Sequence, residues 1–180
     1  MSIRSFRILF AAVSCLLSRP MAAQWSVAPT IAVGPAIPGG VLRDRVSEGP
    51  TVKAGLWIRA PKLPVGITTE AMYAHFLPGG VDRAADGLRV GAVSVNVTTR
   101  RHDRRLDLYG VAGAGWYWHT GANGKYTDRQ APGFNVGIGE VFRVGSVDSF
   151  FEVRLHRVRT PSRAGESWMT LMPFVVGARF

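Results

Sequence analysis

Apolar and polar residues alternate along most of this chain with a period of two, the spacing of a strand with one face in each of two environments. In "SFFEVRLHRV", Phe151, Val153 and Leu155 share a face, and Glu152, Arg154 and His156 share the other. In "VGITTEAMY", Val65, Ile67, Ala71 and Tyr73 oppose Gly66, Thr68, Glu70 and Met72. In "AVSVNVTT", Val93, Val95 and Val97 oppose Ser94, Asn96 and Thr98. Read this way, the chain predicts about eight strands, near Gln24–Val33, Thr51–Ala60, Val65–Leu77, Leu88–Thr99, Leu106–His119, Gly133–Val144, Ser149–Arg159 and Trp168–Phe180. No stretch has the 3.6-residue period of an amphipathic helix.

The connections alternate in length. "PKLP", "RRHDRR" and "GSVDS" are tight, whereas "GPAIPGGVLRDRVSEGP", "PGGVDRAADG" and "TGANGKYTDRQAP" are long, with "PSRAGES" between. Up-and-down strands put alternate connections at opposite ends, so one end carries tight turns and the other long loops. That asymmetry belongs to barrels of the bacterial outer membrane. A soluble, lipocalin-like barrel would place the apolar face inward, and parity alone does not say which face is inside. The membrane is favoured by Trp25, Trp57, Trp116, Trp118 and Trp168, which suit interfacial girdles. It is also favoured by the final strand, "TLMPFVVGARF", which stops on an aromatic. Pro173 in that strand removes a ladder donor, which a bulge or a place near the outer rim would absorb. Parity also sets Glu140 on the apolar face with Phe134, Val136 and Ile138. A carboxylate there is expensive unless it lies at the periplasmic interface or a bulge turns it inward.

The first residues read as a cleavable export signal, residues 1–23, ahead of a barrel domain over 24–180. Arg4 and Arg7 are its basic start, Ile8 to Leu17 its apolar run and Ala22–Ala23 its cleavage site. The apolar run is too short to span a bilayer as a helix. The only cysteine, Cys15, lies inside the signal, so the mature chain forms no disulfide and no thiolate metal site. Net charge is +10, and loss of Arg4, Arg7 and Arg19 leaves about +7. In an exported chain this excess does not point to nucleic acid, and the run Arg100 to Arg105 reads as a solvated turn.

With the signal and the strand rhythm, "LYGVAGAGWYW", "GFNVGIGEVFRVG", "FFEVRLHRV" and the final Phe180 make the chain resemble the small outer-membrane β-barrel proteins of the OmpA/OmpX-like type. The resemblance implies an all-β fold, an eight-stranded antiparallel up-and-down transmembrane barrel in the bacterial outer membrane. Members of that family serve as structural, adhesive or defence-related surface proteins, so the fold leaves the role open. The expected partners are outer-membrane lipids and lipopolysaccharide, and a monomer is expected. "MPFVVGARF", with Phe174 and Phe180, looks like the signal by which insertion machinery recognises a last strand. The outer loops Gly34–Pro50 and Gly121–Ala131 are the expected interaction surfaces.

Candidate chemistry is sparse. "GVAGAG" has neither the spacing nor the following helix of a phosphate-binding loop. The four histidines show no zinc spacing. No cofactor and no enzymatic activity are expected. A lipid A deacylase-like reading would need His156, Ser162 and Glu166, but the close His-x-Ser pairing is absent because residue 158 is Val. Glu70, Glu152, Arg154 and Arg179 fall on inward-facing parity and are expected to form an interior ionic network, since an isolated buried charge is not tolerated. An eight-stranded barrel is just wide enough for side chains to fill it. A narrow gated channel through those charges is the alternative.

Overall fold

A computed structural model describes residues 25–40, 42–59, 63, 65–79, 87–102, 107–121, 129–162 and 165–180. The proposed signal, residues 1–23, lies outside the described residues. Among these residues are nine strands: β1 (Ser26–Gly40), β2 (Val46–Ser47), β3 (Gly49–Arg59), β4 (Val65–Pro78), β5 (Leu88–His102), β6 (Asp107–Gly121), β7 (Arg129–Val144), β8 (Val147–Ser162) and β9 (Gly165–Arg179). All pairings are antiparallel. Eight strands run in the order β4-β3-β1-β9-β8-β7-β6-β5, and β4 pairs with β5 to close the sheet into a barrel. Closure satisfies every edge, which a sheet in hydrocarbon requires.

Residues 60–64 and 103–106 and the turn Gly145–Ser146 connect strands at one end of the barrel. Residues 41–48, 79–87, 122–128 and 163–164 connect them at the other. Gly145 has φ +60° and the residue after it is not left-handed, the backbone pattern of a II′ hairpin turn. By the loop asymmetry of outer-membrane barrels, the first end is periplasmic.

The strands are longer than the alternation alone suggested, and the largest correction is at the first loop. Proline is poor in a central strand, so "GPAIPGG" reads as loop. Yet β1 runs on to Gly40, and Pro35 and Ala36 pair with Pro50 and Gly49. Only residues 41–48 of the expected Gly34–Pro50 loop connect strands, and within them β2 pairs Val46 with Pro78. "PSRAGES" is also mostly paired, since Ser162 faces Gly165 across β8 and β9.

The ladder absorbs its prolines without a bulge. Along β8 and β9 the register is the same at Val153↔Phe174 and at His156↔Leu171, and only the pairs between them lapse, at Pro173. On the other side of β9 the pairs lapse between Val33↔Val176 and Ala36↔Pro173, again with no slip. Pro173 is therefore neither at a bulge nor at the outer rim. It is buried on the inward face in the middle of β9.

The faces are inverted relative to a soluble barrel. Ile31, Val33, Leu56, Ile67, Val93, Val95, Val97, Phe134, Val136, Ile138, Phe151 and Val176 are exposed around the outside. The buried polar groups Thr51, Lys53, Thr68, Asn96, Thr98, Asn135, Glu152, Arg154 and His156 are on the inside. An apolar belt around a charged interior overturns the lipocalin-like alternative, because water would meet the belt. Trp25, Trp116, Trp118 and Trp168 lie on the outer surface. Trp57 does not: it faces the lumen and is only 7% exposed.

Candidate functional site

The centre of the lumen is a compact layer of charge. Inward parity on β3, β4 and β8 delivers Lys53, Glu70, Glu152 and Arg154, two cations and two carboxylates with no net charge. Lys53 pairs with Glu152 and lies 3.3 Å from Glu70 Oε1. Arg154 pairs with Glu70, and its Nη2 is 2.7 Å from Glu152 Oε2. Each cation thus touches both carboxylates, and Arg154 is 2% exposed.

Neutral side chains complete the layer. Tyr109 donates its hydroxyl to Glu152 Oε2 at 3.0 Å. Asn96 Nδ2 donates to Glu70 Oε2 at 2.9 Å, and Asn135 Nδ2 donates to Asn96 Oδ1 at 2.9 Å. Arg154 Nη1 donates to Asn135 Oδ1 at 3.4 Å. In a medium of low dielectric such a layer holds only when nearly every group is partnered. Gly137 makes room for it, since a Cβ there would press on Cα and Cβ of Arg154.

Apolar layers lie on both sides. Toward the long loops, Ala36, Met72, Ala74, Phe76, Leu88, Val90, Tyr117, Val158, Met169 and Leu171 form one buried cluster. Leu42 and Val46, from the connection that folds back on the barrel, belong to it. Toward the tight turns, Ala32, Trp57, Tyr109, Val111, Val141, Phe150 and Val175 form a second. Glycine parity makes space for the rings: a Cβ at Gly139 would enter the Tyr109 ring, and one at Gly177 the Phe150 ring.

Of the residues expected in the ionic network, Glu70, Glu152 and Arg154 meet, and Arg179 is set apart. Arg179 lies near the periplasmic mouth with its guanidinium 3.8 Å from the centroid of the Trp57 ring. Reading the sequence overlooked Lys53, although inward parity with Thr51, Gly55 and Trp57 was there to find it. Of the residues expected to guide assembly, Phe174 points outward at mid-strand, and Phe180 is 69% exposed with its backbone N–H donated to Pro29 O at 3.0 Å.

His156, the histidine of the deacylase-like reading, points into the lumen. That ring is buried in the lumen with Nδ1 2.8 Å from the Tyr117 hydroxyl, facing away from lipid. The side chains of Ser162 and Glu166 lie outside the described part of the structure. Among the described residues no group of His, Cys, Asp and Glu is placed to hold a metal ion. Glu140 faces outward on an unbroken register, between Leu108 and Phe151, toward the periplasmic end of β7. No bulge turns it inward. Residues 122–128, the middle of the second expected interaction loop, lie outside the described residues.

No family model and no curated protein sequence matches the chain. Solved structures do. Neisserial surface protein A superposes with a TM-score of 0.69 at 11% identity, over 86% of this chain and 97% of that one. A major outer membrane protein from Thermus thermophilus superposes with a TM-score of 0.56 at 13% identity, over 86% of this chain and all of that one. At these identities the likeness is one of fold. The closed sheet, the apolar belt and this likeness together make the chain an eight-stranded outer-membrane β-barrel.

Proposed function

We propose that this barrel is a non-enzymatic outer-membrane protein with a sealed lumen, acting in a structural or surface-interaction role through its outer connections. The observation that carries this reading is the layering of the interior. A neutral, mutually paired ionic layer lies between two buried apolar clusters. An ion crossing the barrel would have to pass both clusters and displace paired charges, so the arrangement favours a plug over a path. Interaction then falls to the surface beyond the outer rim, including 79–87 and 122–128. Lipids and lipopolysaccharide are the expected surroundings.

Planar-bilayer recording of the purified protein tests the sealed lumen, with no stable unit conductance as the expected result. A large, persistent conductance would establish the channel alternative. Deletion of 122–128, scored by binding to host or neighbouring-cell surfaces, tests the interaction role: binding should fall while barrel formation is retained. Loss of an acyl chain from lipid A on co-expression would instead establish the enzyme.

A further inference from the structure

Glu140 stands on the lipid-facing wall with no ion pair or hydrogen bond to another described residue. Its surroundings are not flat. Gly110 leaves a gap on the outward face of β6, and Thr99, Leu108, Ile138 and Phe151 rise around it to form a groove of about 410 Å³. Ile138, on one wall, is 72% exposed, the most exposed large apolar side chain among the described residues. Glu140 closes the end of this groove nearer the periplasm, in the same row as Leu108 and Phe151.

Depth fixes what can meet the carboxylate. Glu140 precedes the end of β7 at Val144 by four residues. A tilted strand places it roughly 10 Å from the turn, near the boundary between headgroups and chains. An ionised carboxylate there is costly unless a cation reaches it. Lipid supplies one cation at that depth, the headgroup amine, and a primary ammonium donates N–H bonds that a quaternary one lacks. An anionic headgroup would be repelled. At the opposite rim the outward residues of β8 are Arg157 and Arg159.

We propose that this groove holds one phospholipid of the periplasmic leaflet, its acyl chain over Gly110 and its primary-amine headgroup on Glu140. The proposal rests on the barrel standing in the outer membrane with its tight turns periplasmic, and it is independent of whether the lumen is sealed.

Native mass spectrometry of the mature barrel in micelles tests it, with phosphatidylethanolamine, phosphatidylcholine and phosphatidylglycerol added in equal amounts. The protein should retain phosphatidylethanolamine about five-fold over either competitor, the size of one exposed charge-assisted contact. Glu140→Gln should abolish that preference while adducts persist. Gly110→Leu keeps the carboxylate and fills the groove, so adducts of all three lipids should fall. A Cβ at Gly110 meets only the movable Thr99 hydroxyl, at 3.1 Å, and the rest of the leucine would lie in the open groove, so heat-modifiable migration of this variant is checked alongside. Unchanged selectivity in Glu140→Gln, or a preference for phosphatidylglycerol, would overturn the proposal. A dimer that forms without lipid and disappears in Glu140→Gln would also overturn it, assigning the groove to a second copy of the chain.

Discussion

Single residues decide most at the ionic layer, where each side chain is held by charge it cannot exchange for water. Arg154→Leu leaves Glu70 and Glu152 facing Lys53 alone, and removing one partner from a buried ionic group costs about 3–5 kcal/mol. Urea unfolding in lipid vesicles should show that loss. Adding Glu152→Leu leaves Lys53 with Glu70, 3.3 Å away, so the double variant should recover most of it. A double variant as unstable as the sum of the singles would mean the charges act independently. On the outer face, Phe174→Asp places a charge toward hydrocarbon. The midplane cost is about 2–4 kcal/mol for basic residues and less for Asp. Loss of stability should appear in lipid and shrink in a loose micelle. Parity made Glu70, Glu152 and Arg154 legible before any coordinates, because a period of two assigns faces without knowing the register. Parity gave Arg179 its inward face but not its height, which is at the mouth, over Trp57. Lys53 was missed beside a run of small and apolar neighbours, and Trp57 was mistaken for an outward interfacial residue although its parity, shared with Lys53, turns it into the lumen.

The elements are held by turn chemistry and by glycine placed under aromatic rings. Gly139 and Gly145 separate those two causes. Gly139→Ala drives a methyl into the Tyr109 ring and should cost about 1–3 kcal/mol by overpacking. At Gly145 nothing lies within 4 Å of a Cβ, yet φ is +60°, so Gly145→Ala should cost only about 1 kcal/mol, from backbone strain. Equal losses in urea unfolding would show that packing beneath the rings matters no more than the turn. The number of strands and their faces were readable from the alternation, but their ends were not. Proline and glycine in "GPAIPGG" and "PSRAGES" look like loop chemistry, and cross-strand pairing carried the strands through them. β9 closes the barrel against β1 and until then presents an open edge, to which insertion machinery can add a strand. We propose that its outward aromatics guide that step. Deleting Phe180 removes one exposed ring and the bond to Pro29 O, and leaves the buried clusters intact. Insertion in cells should slow far more than refolding of purified protein into detergent. Wild-type assembly in cells would reduce Phe180 to an interfacial aromatic.

As a whole the molecule is an inverted barrel with its apolar belt toward lipid, and we propose that its lumen is dry and filled. Loop asymmetry, the tryptophans and the terminal aromatic pointed to the membrane from the sequence. The proposed sealing was not legible there, because it would rest on Leu42 and Val46 folding back from a connection and on buried layers assembled from distant strands. Removal of the signal would leave a chain without cysteine, which allows one measurement to test both halves of the claim. Single cysteines at outward Val93, Val95 and Val97, and at inward Val90, Ala92 and Thr98 on the same strand, are reacted with a water-soluble maleimide in vesicles. The prediction is that both rows stay unlabelled in the folded barrel, one shielded by lipid and the other by packing, and that all six react after unfolding in urea. Labelling of the inward row in the folded protein would show a water-filled lumen, and labelling of the outward row would show a barrel that does not stand in lipid.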